Sequence, residues 1–268
     1  MKKYLGLVLT IFLFGMNSFA QNQPLWNGKK CAVVLTYDDG LNVHLDNAIS
    51  LLNSFGLKGT FYIPANSQPF ARRMEEWRIA AQNGHELGNH TLFHPCNGNL
   101  PGRSWVSKDH DLANYSLKQI VDEVNLCNTF LKAVDGKTLR TFAYTCGDRE
   151  VEGKMFYDEI EDQFVAARGV TSLLNHIETI DLKNVNSFMI NGENGDELIK
   201  MVEKAKDSNA LLVFLFHGVG GEHSLDVSLN AHRELLTYLS KNKNFVWTTT
   251  MAEAAEHIRV IQKNEIEK

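Results

Sequence analysis

Short, almost wholly apolar runs alternate with stretches of helical period along nearly the whole chain. CAVVLTY (31–37) reads as a buried strand, and LDNAISLLNSFG (45–56) as a helix stopped by Gly56. KGTFYIP (58–64) predicts a second strand, FARRMEEWRIAAQNG (70–84) a second helix, and HELGNH (85–90) a third strand. Asn, Gly and Pro then mark a loop over residues 95–115, long enough to be a rim or lid. The amphipathic stretch 116–134 predicts a long helix with Ser116 as its N-cap. Further strands are expected in LRTFAYT (139–145), FVAARGV (164–170), NSFMI (186–190), ALLVFLFH (210–217) and NFVWTTT (244–250). Helices at 195–207, 227–241 and 251–259 lie between or after them.

Strands apolar on both faces and separated by helices imply parallel strands covered from outside, an α/β class. A barrel and an open doubly wound sheet both satisfy that pattern. Polar residues repeatedly follow the strand ends, as DDG (38–40), HTLFH (90–94), TCGD (145–148) and HGVG (217–220). One ring of strand ends would gather them at one mouth, so a distorted (β/α) barrel in a single domain is the preferred architecture.

The first residues stand apart from this pattern. Lys2 and Lys3 precede an apolar run over residues 5–14, and small or neutral residues lead up to Gln21. That is the layout of a signal peptide cleaved after Ala20, and the run is short for a bilayer span of about 20 residues. The expected organisation is a signal peptide (1–20), a lead-in (21–29), a catalytic-type domain (30–260) and a tail (261–268). The mature protein would be exported, periplasmic or extracellular, with no membrane span left after cleavage. Loss of two lysines would move the net charge from −5 to −7. Without a basic run, nucleic-acid binding loses its electrostatic basis. Cys31, Cys96, Cys127 and Cys146 show no CxxC spacing, which argues against a zinc ribbon or a thioredoxin-type site. Cys31 and Cys127 fall in apolar strand and helix patterns and read as core residues, while any pairing stays open.

Asp38 and Asp39 are adjacent carboxylates at the end of a buried strand. An Asp-Gly turn is one explanation. The other is that both face one centre, the strand breaking its alternation with help from Gly40 and a divalent cation relieving the repulsion. His90 and His94 are spaced to reach one metal, and with one carboxylate they leave a position open for water or substrate, as in catalytic zinc sites. His217 ends the most apolar strand, either as a buried hydrogen-bonded residue or as a proton donor at the mouth. Glu222, His223 and Arg168 are lesser candidates, read as rim or structural residues.

Together these residues resemble the polysaccharide deacetylases, the NodB-homology domain of carbohydrate esterase family four. TYDDG resembles the family's TFDDG motif with Tyr37 for phenylalanine, HTLFH fits H-[ST]-x-x-H, and LFHG resembles the late motif closed by histidine. The resemblance covers roughly residues 30–256 and implies a metal-dependent hydrolase, with zinc the expected metal, removing acetyl groups from an acetylated glycan. Asp38 would be general base, Asp39, His90 and His94 the metal ligands, and His217 general acid. Cys146, Tyr144 and Arg168 would serve the oxyanion or the substrate. The third motif departs from the family's R-P-P-Y-G: TFAYTCGD puts Ala143 at the arginine and Cys146 at the aromatic, leaving Arg140 or Arg168 to reach the site. The fourth motif has no clear counterpart near VAARGVTSLLN (165–175). Competing readings are a carbohydrate-binding protein on this scaffold and a hydrolase of a small non-sugar amide. Asp38 speaks against the former, because binding a glycan needs no general base.

Overall fold

The computed structural model describes residues 25–266, so the expected signal peptide lies outside the described residues. All eight residues of the first strand, β1 (Cys31–Asp38), are buried, as its apolar run requires. β2 (Thr60–Ile63), β3 (Glu86–Asn89) and β4 (Phe142–Ala143) follow side by side. A hairpin of β5 (Glu150–Val151) and β6 (Lys154–Met155), which the apolar pattern did not mark, precedes β7 (Ala167–Arg168). On the far side of β1 lie β9 (Leu211–Phe216) and then β8 (Phe188–Met189), giving the order β7-β4-β3-β2-β1-β9-β8. Past β9, β10 (Gly218–Val219) and β11 (Asp226–Val227) form a small separate pair. β12 (Val246–Thr249) pairs with the first half of β1, at Cys31 to Val34, while β2 pairs with the second half, at Thr36 to Asp38.

Every pairing in the main sheet is parallel. Its two ends meet where Val185, just ahead of β8, bridges to Arg168 of β7. The result is the distorted barrel expected from the strand pattern.

A π-helical turn, His44–Ile49, runs into α1 (Ser50–Ser54). The expected helix at 70–84 is broken at Arg73 into α2 (Gln68–Arg72) and α3 (Met74–Gln82). Arg73 leaves helical geometry (φ −120°, ψ 29°) while its guanidinium bonds Asp46 and Glu76. α4 (Leu117–Asp135) starts at Ser116, whose hydroxyl accepts the Gln119 N–H as predicted, and stops at left-handed Gly136. α5 (Gly195–Asp207), α6 (Leu229–Lys241) and α7 (Met251–Ile266) complete the outer layer, α7 running past the expected domain end at 260. No helix of the described residues is long and apolar enough to cross a membrane.

The two faces of β1 have different neighbours, as its period of two dictates. Cys31, Val33, Leu35 and Tyr37 join the large core formed with residues of α1, α3, α4, α5 and α6. Ala32 and Val34 pack with Val213 and with Met251, Ala255 and Ile258 of α7. Asp38 shares this second face. Trp26, from the expected lead-in, is fully buried against it.

The hydroxyl of Tyr37, where the resembled motif has phenylalanine, shares a hydrogen bond with His232 Nε2 of α6 at 2.8 Å, with both side chains fully buried. Two further buried imidazoles use a ring nitrogen as acceptor: His44 Nδ1 takes the Leu41 N–H at 3.1 Å, and His85 Nδ1 the Gly59 N–H at 3.1 Å. Acceptor nitrogens require neutral rings. Burial drives the same way, holding His44 and His85 at about 4 and His232 at about 3. Above pH 6.5 these rings are neutral folded or unfolded; between there and about 4 only the unfolded chain takes up their protons. Stability should therefore fall as pH drops through that window, by up to about 1.4 kcal/mol per pH unit for each ring. Denaturant unfolding at pH 7 and pH 5 measures it, and equal midpoints would contradict the neutral buried histidines.

Candidate active site

β1 ends by breaking its own alternation. Asp38 is its last paired residue, opposite Tyr62, and Asp39 takes a left-handed backbone, φ +81°, followed by Gly40 at +58°. The break therefore falls on Asp39 first and is not carried by Gly40 alone. Aspartate is among the few non-glycine residues that tolerate this region. As a result both carboxylates reach one nitrogen: His90 Nε2 lies 3.8 Å from Asp38 Oδ2 and 3.7 Å from Asp39 Oδ1.

His90 follows β3 directly, and His94 follows a tight turn. The His90 Nδ1–H donates to the Ala143 carbonyl at 2.9 Å, which leaves Nε2 as a lone-pair donor facing the aspartates. His94 Nε2 is 3.4 Å from Asp39 Oδ1, and the two imidazoles meet edge to face at 4.8 Å. One ligand atom from each of Asp39, His90 and His94 falls within 4.8 Å of the others. Two imidazoles and one carboxylate converging in this way fit a divalent cation. Burial keeps His90 down at about 4, against the pull of Asp38 and Asp39, so its ring is a free base at neutral pH. Burial raises the Asp39 carboxyl, but His94, His90, His217 and His223 outweigh it and leave that carboxyl below its ordinary range.

Asp38 has a partner of its own. Arg168 Nη2 donates to Asp38 Oδ2, its Nη1 bonds the Gly169 carbonyl at 3.2 Å, and its guanidinium lies 5.2 Å from the Tyr62 ring centre. Arg168 is fully buried and its guanidinium is taken up by Asp38, so of the two arginines considered in place of the motif's own it is the one that reaches this carboxylate. Its pairing partner across β4 and β7 is Ala143, the position where the resembled motif would have its arginine. The guanidinium is supplied from the adjacent strand. Arg140 stays away, bonded to Asp135 at 3.1 Å and to the carbonyls of Leu87 and Lys137 at 2.7 and 2.6 Å.

Tyr144 is also not at the mouth. Its ring packs among Phe142, Phe156 and Tyr157, and its hydroxyl donates to the Lys183 carbonyl at 2.8 Å. Cys146 is near the metal-type cluster, in a way the sequence left open: it is disulfide-bonded to Cys96, with Cα atoms 5.8 Å apart, and Cys96 Sγ lies 3.6 Å from His94 Nδ1. The disulfide fastens the 95–115 loop to the third-motif turn. Arg103 adds a bond to the Cys146 carbonyl at 3.0 Å and an ion pair with Asp148. That bracing gives the loop the character of a fixed rim.

His217 follows β9, its carbonyl accepting the His44 Nε2–H at 2.7 Å. Its ring stacks on His223 at 4.7 Å, and its Nδ1 has no hydrogen-bond partner among the described residues. Burial lowers its imidazolium below the ordinary range, with Asp38 and Asp39 opposing and His223 and Arg168 assisting. His223 belongs to the site more closely than its sequence position indicated, with Nε2 3.9 Å from Asp39 Oδ2. Glu222 is structural, its carboxylate accepting from Asn42 Nδ2 and the Val43 N–H at 2.7 Å each.

Residues 27–157 match the family model described as polysaccharide deacetylase, a span holding Asp38, Asp39, His90, His94 and Cys146. Over that span the chain has the sequence pattern of the polysaccharide deacetylase family. It is 27% identical over 217 residues to a gellan lyase from a Bacillus species, covering 77% of this chain but only 8% of that much longer protein. Among solved structures it is similar to the peptidoglycan deacetylase PdaC from Bacillus subtilis (TM-score 0.54, 17% identity, 88% of this chain and 96% of that one). It is also similar to the Puue allantoinase (TM-score 0.62, 13% identity, 95% and 98%). At those identities the structural likeness establishes the barrel.

The cysteine arrangement is directly checkable. Cys31 and Cys127 are buried free thiols that burial pushes up to about 12. Alkylation should leave the native protein unlabelled, label two cysteines after unfolding without reductant, and label four after reduction. Four labelled without reductant would contradict the Cys96–Cys146 bond.

Proposed function

We propose that the protein is a zinc-dependent carbohydrate deacetylase, exported to the periplasm or extracellular space. It hydrolyses N-acetyl or O-acetyl groups of a poly- or oligosaccharide. The observation that carries this reading is the division between the two aspartates: Asp39 faces two imidazoles, while Asp38 is held by its own buried arginine. A protein that only bound glycan would have no use for a second carboxylate paired in this way at the ligand cluster.

Asp39, His90 and His94 would hold the metal, which when bound polarises an acetyl carbonyl and acidifies water. Asp38, beside His90 Nε2 and outside the ligand triad, takes the proton from the attacking water. Arg168 keeps that carboxylate aimed before the reaction. His217 gives a proton to the departing nitrogen or oxygen, and its lowered pKa makes the protonated ring a stronger donor. The backbone N–H of Cys146, in a turn fixed by the disulfide, is the chain's candidate donor to the developing oxyanion.

Acetate release from a panel of N-acetylated and O-acetylated oligosaccharides with added zinc tests the activity, and no release from any member would overturn it. Asp38→Asn should keep about one metal per chain and lower turnover by roughly 10²–10⁴-fold. Full turnover in that variant would refute the base assignment. Arg168→Met should remove activity and cost about 3–5 kcal/mol of stability, by leaving Asp38 buried without its partner; unchanged unfolding would count against the pairing.

A further inference from the structure

The turn that carries His90 and His94 is held in an unfavourable backbone. Thr91 (φ +65°) and His94 (φ +56°) both occupy the left-handed region. For a β-branched residue this is an outlier, and each such residue costs on the order of 1–3 kcal/mol. It persists only where its surroundings determine it from several sides. Ala65 and Asn66 donate their N–H groups to the Thr91 and Leu92 carbonyls at 3.1 Å each. Inside the turn, the His94 N–H donates to Thr91 Oγ1 at 2.9 Å.

The remaining support comes from α4. Asn89 Oδ1 accepts the Thr91 N–H at 2.8 Å, while its Nδ2 is tied to the Val124 carbonyl at 2.9 Å and Asn128 Oδ1 at 2.8 Å. From the residue preceding Val124, Glu123 Oε2 accepts the N–H of Phe93, the residue before His94, at 3.1 Å. Glu123 is buried, 4% exposed, and makes no ion pair among the described residues. Tyr115 and His110 are its titratable neighbours. A buried carboxylate without a cation is a poor choice for stability, since an apolar residue of similar volume is often neutral or better there. Core packing therefore leaves this residue unexplained.

We propose that Glu123 is a positioning residue for the metal-binding turn, fixing the Phe93 amide so that His90 and His94 present Nε2 together to Asp39. The proposal rests on the metal reading given above. It assigns to α4, which contributes no ligand, the hydrogen-bonded support by which groups behind a metal site orient its ligands. Burial raises the Glu123 carboxyl, with Tyr115, the Phe93 amide, His110 and the Leu92 amide opposing.

The test compares wild type with Glu123→Leu and Glu123→Gln, reading zinc affinity by competition with a chelator and the Tm of the metal-free protein. The glutamine oxygen can still accept the Phe93 N–H, so Glu123→Gln should bind zinc within about 3-fold of wild type. Glu123→Leu should bind about 10–100-fold more weakly, with a metal-free Tm equal to or above wild type. Glu123→Ala takes its place, with the same expected loss of affinity, if the leucine variant does not fold. Wild-type zinc affinity in the leucine or alanine variant would overturn the proposal, as would equal losses in Glu123→Gln and Glu123→Leu. Absence of zinc binding by wild type would instead overturn the metal reading on which the proposal rests.

Discussion

Two adjacent carboxylates at the end of a buried strand can coexist only when each has its own source of positive potential. The rest of the site is organised around that constraint. Asp38 stays on the face of Ala32 and Val34, where the fully buried guanidinium of Arg168 meets it. Asp39 is swung out of alternation by its positive φ into a ring of imidazoles. The consequences reach well beyond the two residues. β7 must bring Arg168 alongside β4 at Ala143, and β3 must end where His90 can lean on the Ala143 carbonyl. Ala143 is thus a hinge of the arrangement without contributing a functional side chain. Its carbonyl sets the tautomer of one ligand, and its strand position sets the height of the arginine.

What was legible from the chain was local. The strand CAVVLTY could be read because every residue in it had to be buried, and HTLFH because two imidazoles four residues apart are brought together by a single turn. The Ser116 cap on α4 is likewise decided within a few residues. Arg168 was a different matter. A lone arginine in FVAARGV announces that a buried charge needs a partner, yet which carboxylate it meets depends on the register of two strands far apart in sequence. The Cys96–Cys146 bond spans 50 residues, and no local spacing encodes it. Tyr144 lies in a stretch that the resemblance aligned with a site motif, and its side chain turns to the aromatic core beside Phe142.

The third motif illustrates how a family site tolerates change. The expected arginine is absent from β4, and a guanidinium arrives from the neighbouring strand at the matching level. The expected aromatic is replaced by a cysteine whose disulfide clamps the turn. What these substitutions preserve is a charge beside Asp38 and a braced backbone beside His94. The strained turn between His90 and His94 follows the same logic, its geometry maintained by Asn89 and by α4 behind it. Residue identity is free to vary where the physical requirement can be met from another direction.

The central claim is that the paired aspartates divide the work, Asp39 as ligand and Asp38 as free base. Anomalous diffraction from crystals grown with saturating zinc tests it directly. The account predicts one ion at about 2.0–2.2 Å from Asp39, His90 Nε2 and His94 Nε2, with Asp38 unligated and still on Arg168. An ion liganded by Asp38, one seated elsewhere, or no ion at all would contradict it.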